Sequence, residues 1–266
     1  MSNTLSPFVS IVLPTYNDAV FLPSAIESVL TQTWQDFELI VVNDGSTDNT
    51  REVLQDFEHD PRVTVIHKQN EKLPRALNTG FEKARGHYLT WTSSDNIMLS
   101  HMLERLLGEL KANPDVAVAY ADWQVINDMG ESLGIVNTLD YDPHLLMRVN
   151  FVNACFLYRR ICQETIGLYD PEYILAEDWE YWWRISQHFA MKHVPEVLYQ
   201  YRVHEGSLSH FIKKHQGGVS TGYRRLVQDF RANPLRWYWS KIKYNLFKLR
   251  HGTPLSIKQD EKVSAL

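Results

Sequence analysis

The sequence predicts an α/β fold in which a mostly parallel central sheet is flanked by helices. Three observations carry that expectation. Short β-branched apolar runs alternate with stretches of helical periodicity through the first 120 residues. The runs close on Pro, Asn-Asp-Gly or Ser-Ser-Asp turns. Repetition of this kind needs crossover connections, which bring successive strands back parallel.

Each element has its own signal. FVSIVLP (8–14) is an apolar run closed by Pro14, followed by Leu22, Ile26 and Val29 at helical spacing. FELIVVN (37–43) is the second strand, and Asp44-Gly45-Ser46 turns the chain into a helix on which Asn49 and Glu52 are spaced as a capping pair. RVTVIH (62–67), a helix near 74–84 and HYLTWT (87–92) follow. Leu99, Leu103, Leu106, Leu107 and Leu110 make the next helical stripe, and VAVAY (116–120) the next strand. The alternation then breaks. Two strands are expected around Met129-Gly130, then a short helix near 142–149, a strand over ACFLYRR, a Trp-rich helix opening at Glu177-Asp178, and a last strand at LYQYRVH (198–204). Residues 1–209 read as one domain of two halves, about 1–120, which is Rossmann-like, and 121–209. Residues 210–266 read as a helical C-terminal extension.

The composition is that of a globular protein, 44% hydrophobic and 22% charged. A net charge of −5 argues against a surface coated in positive charge, so no nucleic-acid partner is expected. Cys155 and Cys162 are the two cysteines, which excludes a Cys-only zinc site and makes a disulfide scaffold a poor reading. The N-terminus lacks the basic and apolar regions of a secretory signal, and no window approaches the ~20 apolar residues of a membrane span. A cytoplasmic protein is expected, with any membrane contact made from the inner surface.

Parallel sheets bind ligands outside the carboxyl ends of their strands. That rule selects Thr15-Tyr16-Asn17-Asp18, Asn43-Asp44-Gly45, the segment from Asn70, and Ser93-Ser94-Asp95-Asn96. Asp44 reads either as turn chemistry or as an acceptor for a base N–H or ribose hydroxyl. Asp95 reads either as the cap region of the next helix or as an oxygen ligand for Mg²⁺ or Mn²⁺ on a diphosphate. Glu177 and Asp178 suit a helix N-terminus on macrodipole grounds alone, and the same placement favours the ionised state that a general base needs. His204 reads as a structural or surface histidine by itself. Neither a Gly-x-Gly-x-x-Gly after the first strand nor a P-loop is present, which removes the main support for dinucleotide and P-loop chemistry.

The order of these signals carries more than any one of them. The stretch VSIVLPTYNDAVFLPSAIESVLTQTWQDFELIVVNDGSTDNT resembles the opening of family 2 glycosyltransferases of the GT-A fold. The resemblance continues through ALNTGFEKARGHYLTW, LAEDWEYWWRIS and YRVHEGSLS, covering roughly residues 8–209. It implies an inverting transfer from a nucleoside-diphosphate sugar, UDP-linked by preference, to a glycan or lipid-linked acceptor, in bacterial polysaccharide or glycoconjugate synthesis. It also implies roles by position. Pro14, Thr15 and Tyr16 would meet the nucleobase, with Asp44 on its edge, Arg75 and Asn78 on the diphosphate side, and Ser94 near the ribose. Asp95 and His204 would hold a divalent cation, Mn²⁺ or Mg²⁺. Asp178 would be the base, with Glu177 and Trp179 beside it on the acceptor side. One departure stands out: where the family carries Asp-X-Asp-Asp, this chain has Thr92-Ser93-Ser94-Asp95, so only the last acid survives.

A catalytically weak nucleotide-sugar-binding protein is the alternative that departure leaves open. A sugar nucleotidyltransferase is the other, although it would carry a Gly-rich basic loop where this chain has Pro-Thr-Tyr-Asn-Asp. Beyond 209 the resemblance fades. Between 231 and 250 six Lys and Arg residues occur without an acid, and Leu235, Trp239, Ile242, Leu246 and Leu249 form an apolar stripe. Two readings stand for that stretch: a helix packed on the catalytic domain, or an in-plane helix on an anionic membrane. Oligomeric state is left open.

Overall fold

A computed structural model describes residues 7–207 and the single residue 228. In chain order the elements are β1 (Val9–Thr15), α1 (Leu22–Leu30), β2 (Phe37–Asn43), α2 (Thr50–Gln55), β3 (Val63–His67), α3 (Leu73–Lys83), β4 (Tyr88–Trp91) and β5 (Ile97–Met98). There follow α4 (Met102–Ala112), β6 (Val116–Ile126), β7 (Ser132–Val136), α5 (Pro143–Leu146), β8 (Phe156–Arg159), α6 (Arg160–Ile166), α7 (Glu177–Ser186) and β9 (Ala190–Arg202). They build one mixed sheet in the order β3-β2-β1-β4-β8-β6-β9-β5, with β7 paired to β6.

The expected α/β architecture is present, and its parallel part is the part the sequence makes plain. β3, β2, β1 and β4 are parallel neighbours, as crossover helices require. Antiparallel β8 joins β4 to β6, and a long parallel ladder then joins β6 to β9. The strand expected over 198–204 is the last part of the thirteen-residue β9, while α6 and the two-residue β5 have no clear sequence signal. The capping pair expected of Asn49 and Glu52 is not made. Asn49 forms no side-chain cap, and Asp48 Oδ1 instead accepts from Thr50 N–H at 3.1 Å.

Period-two alternation sorts the strand residues onto two cores. Val9, Ile11, Leu13, Leu39 and Val41 face α1 and the leucines of α4, whereas Val12, Ile40 and Val42 face α3 and the aromatic cluster of α7. α3 comes close because residue 80 is glycine: a Cβ there would stand 2.4 Å from Val12 Cγ1. Strand ends and their loops are thereby gathered along one edge. The basic stretch 231–250 lies outside the described residues.

Candidate active site

The loops after β1 and β2 are stitched together at the carboxyl edge. Asn17, at φ 52°, receives Thr47 N–H on its Oδ1 at 2.7 Å and donates its own N–H to Ser46 Oγ at 2.9 Å. Gly45 takes φ +80°, and a Cβ on it would lie 2.6 Å from Asn70 N. The Asp-Gly turn therefore brings two backbones together where a side chain would hold them apart.

Asp44 is buried beside that contact and organises the third loop. Its Oδ2 accepts from Lys72 N–H at 2.9 Å, its Oδ1 from Glu71 N–H at 3.1 Å, and Lys68 Nζ stands 3.3 Å from Oδ1. Pro14 and Thr15 end β1 in buried positions. Thr15 Oγ1 is shielded and has no hydrogen-bond partner among the described residues, whereas Tyr16 is 49% exposed. Arg75 is exposed on the first turn of α3. Asn78, one turn further, is engaged on both ends of its amide: Nδ2 donates to Tyr169 O at 2.8 Å and Oδ1 accepts from Tyr169 N–H at 2.9 Å.

A second group forms where β4 ends. Asp95 Oδ2 lies 3.2 Å from His204 Nε2, across 109 residues of sequence, and this contact holds the imidazole pKa above its ordinary value. Asp95 Oδ1 is fully shielded and has no hydrogen-bond partner among the described residues. Ser94 Oγ donates to Asp18 Oδ2 at 2.7 Å, and burial, reinforced by Asp95, pushes Asp18 up to about 6. Arg202 ties this corner together by donating to Asp95 O at 2.9 Å and to the carbonyls of Asn127 and Asp128 at 3.0 Å. Its guanidinium also lies over Phe21, on which His204 packs.

This corner suits a hard cation in the donor types it offers. A shielded carboxylate oxygen without a donor, beside an imidazole, is a poor end state for a protein and a good ligand. Among the described residues no three acidic, His or Cys side chains close on one point. The protein's share of the coordination would therefore be Asp95 and His204, with phosphate oxygens completing it.

The acid pair opens α7. Glu177 is 6% exposed, and burial, with Asp178 adding its charge, pushes it up to about 8; its Oε2 is shielded and has no partner among the described residues. Burial also raises Asp178, opposed by hydrogen bonds that favour its charged form: Oδ1 accepts from Trp179 N–H at 2.6 Å and Oδ2 from Asn150 Nδ2 at 2.7 Å. Leu175, just upstream, is held at φ 66°, an unfavourable angle for a leucine that sets how the chain enters the helix. Trp179 is anchored by its indole N–H on Leu146 O at the end of α5.

One tyrosine couples this helix to the nucleotide-side elements. Tyr169 stacks on Tyr181 of α7 at 4.1 Å and on Phe81 of α3 at 5.8 Å. Its hydroxyl accepts from Trp91 Nε1 at 3.0 Å, and its backbone carries the Asn78 pair. Asp178 thus stands on a helix fixed to both α3 and β4.

The structure brings Asp95 to His204, and Glu177 to Asp178 and Trp179. Asp18 and Asn150 contact site residues without having been singled out. Asp18 sits inside a segment that the carboxyl-edge rule selects, so a signal existed; Asn150 has none, lying 28 residues from its partner with no motif around it.

Comparison with known proteins bears on the family of the chain. The family model for Glycosyl transferase family 2 matches residues 10–146. An uncharacterized glycosyltransferase of Rickettsia typhi is 31% identical over 213 residues, covering 76% of this chain and 66% of that one. Staphylococcus aureus TarS, solved in complex with UDP, superposes with a TM-score of 0.62 at 17% identity over 83% of this chain and 64% of its own. The mannosyltransferase PcManGT of Pyrobaculum calidifontis, in complex with GDP-Man and Mn²⁺, gives 0.61 at 18% identity over 94% and 77%. The chain spans just under two thirds of the length of the Rickettsia relative. No described helix is long and apolar enough to cross a membrane.

Proposed function

This chain belongs to glycosyl transferase family 2, and from that premise we propose that it transfers a sugar from a nucleoside-diphosphate sugar, UDP-linked by preference, to an acceptor hydroxyl with inversion, Asp178 being the base. The acid pair carries the proposal. Burial raises both carboxyls, Glu177 to about 8, and N–H donors oppose the rise at each, those of Trp179 and Asn150 at Asp178. The charge of Asp178 is a further reason for Glu177 to keep its proton, which makes Glu177 the proton holder of the pair and Asp178 the proton acceptor. Asp178, once ionised, takes the proton of the attacking hydroxyl, while the diphosphate departs from the opposite face of the sugar. Base assistance of this type contributes about 10²–10⁴-fold.

The nucleotide belongs along the stitched edge. Pro14, Thr15 and Tyr16 form its side, and Thr15 Oγ1 offers a shielded, unpartnered hydroxyl. Asp44 accepts from the base edge in exchange for part of its hold on the 68–72 loop. Arg75 supplies charge on the diphosphate side, with Asn78 fixing α3 behind it, and Ser94 lies toward the ribose. Asp95 and His204 would hold the divalent cation, which would offset charge on the leaving diphosphate. In this division residues up to about 120 serve the donor and 121–209 the acceptor, with Glu177 and Trp179 lining the acceptor side. A glycan or lipid-linked acceptor and a role in polysaccharide or glycoconjugate synthesis accord with the family. The basic stretch 231–250 of the C-terminal extension would bring a cytoplasmic enzyme to the membrane surface. Co-sedimentation with anionic liposomes should then be lost on truncation after residue 230, and equal binding by both forms rules that part out.

A thermal-shift panel of UDP, GDP, dTDP and CMP with and without Mn²⁺ tests the donor. Saturation at 100-fold over Kd stabilises by about 2.7 kcal/mol, so UDP with Mn²⁺ should raise the melting temperature by roughly 5–10 °C. No shift with any nucleotide would remove the proposal. A shift without donor turnover would favour the non-catalytic binding protein.

A further inference from the structure

The Asp178 carboxylate has two hydrogen-bond donors, and they are not equivalent. Trp179 N–H belongs to the next residue of the same helix, so it moves with α7 and fixes nothing relative to the rest of the site. Asn150 Nδ2 comes from the link between α5 and β8, 28 residues back. Among the described residues it is the one donor that reaches this carboxylate from another element. Two titratable groups feel the charge of Asp178: Glu177 beside it and Tyr169 from the link between α6 and α7. Glu180 on the same helix is held by Arg184, and Arg148, two residues before Asn150, is exposed. Neither of these contacts the carboxylate.

The Asn150 amide is itself held in place. Asn153 N–H donates to Asn150 Oδ1 at 3.3 Å, and Asn153 Nδ2 donates to Asn150 O at 2.9 Å. Asn153 makes both bonds from φ 47°, a left-handed conformation that asparagine enters more readily than most residues. With Oδ1 taken, the amide presents Nδ2 to Asp178; turned over, it would set a carbonyl oxygen against the carboxylate. On one side Val149 N–H is tied to Leu145 O at 3.0 Å, and on the other Phe151 and Val152 are buried in the core. The link and α7 are fastened a second time by the Trp179 indole on Leu146 O.

We propose that Asn150 is a positioning residue for the transfer, its amide N–H holding the Asp178 carboxylate ionised and in one orientation. The proposal rests on Asp178 being the base. Donation to a carboxylate favours its charged form, which burial opposes. Asn150 thus extends to lower pH the range in which the base is available.

Carbon-13 NMR of the full chain labelled at its aspartate carboxyls, titrated from about pH 4 to 8, reads this without donor or acceptor. The Asp178 resonance is the one missing from Asp178→Asn. Asn150→Ala should move its titration up by about 1–2 pH units, the worth of a hydrogen bond to a charged group. Asn150→Leu, which fills the space of the amide without a donor, should move it at least as far. On a Glu177→Gln background, where the neighbour has no proton to share, the same upward shift is expected. Were Asn150 only a tie between the link and α7, both variants would melt lower while the titration stayed within about 0.3 unit of wild type. That result overturns the proposal. Should Asn150→Ala fail to fold, Asn150→Leu decides by the same criterion. The base reading fails separately: wild-type turnover in Asp178→Asn removes the base, and the role of Asn150 with it, whatever the titration does. An unmoved titration alongside lost turnover in Asp178→Asn overturns Asn150 alone.

Discussion

Replacing Glu177 with Gln isolates the energetic claim at the heart of the acid pair. Glu177 is raised from an ordinary 4.5 to about 8, chiefly by burial and secondarily by Asp178. A carboxyl raised on folding contributes stability that is complete below about 4.5 and lost as pH climbs toward 8, because the unfolded chain releases the proton first. Each pH unit inside that window is worth about 1.4 kcal/mol, so the wild type should forfeit about 4–5 kcal/mol between the two ends. Gln has the same shape and carries no proton to lose. The variant should therefore match the wild type near pH 4.5 and exceed it by about 3–4 kcal/mol at pH 7.5, a large share of the 5–15 kcal/mol typical of a domain. Asp178 is raised as well, so its slope appears in both proteins and largely cancels in the difference. Urea titrations at pH 5, 6, 7 and 8 measure this directly. Parallel stability curves, separated by less than about 0.5 kcal/mol at every pH, would refute a buried neutral Glu177.

Two further predictions concern the frame around the site. Asn78→Ala leaves the Tyr169 N–H and carbonyl without their partners, so it should cost about 2–4 kcal/mol and lower turnover as α7 loosens; chemical denaturation with a loss under about 0.5 kcal/mol would show that Tyr169 is held by its stacking alone. Gly45→Ala forces a residue disfavouring φ +80° against Asn70 N at 2.6 Å, so nucleotide affinity should fall at least about 10-fold with a stability loss of about 1–2 kcal/mol, and unchanged UDP titration would detach this turn from the nucleotide.

Some of this architecture was readable from the chain and some was not. β1, β2 and β4 announce themselves because strands buried on both faces read as near-continuous apolar runs, broken here by Ser10, Glu38 and Thr90. The first part of β9 hides because Lys192, His193, Pro195 and Glu196 break any alternation. It is a strand because β6 pairs with it, and the register shift between Ala121 and Asp122 falls where Pro195 and Glu196 are left out of the ladder. Asp44 and Asp95 were visible as acids at strand ends. Their partners were not, since Tyr169 reaches Asn78 over 91 residues, and Asp18 reaches Ser94 over 76. Only tertiary folding brings such groups together, and no local spacing encodes them. Asp44 also shows the limit of reading a residue singly: the acid expected at the base edge is first of all the brace of the 68–72 loop.

The central claim is that Asp178 accepts the acceptor proton. Steady-state transfer by Asp178→Asn, measured beside its affinity for UDP with Mn²⁺, tests it most directly. Asn preserves the size of the side chain and its contact with Asn150, but it cannot take a proton. Turnover about 10²–10⁴-fold below the wild type, with nucleotide affinity unchanged, is the predicted result. Wild-type turnover in that variant would contradict the account.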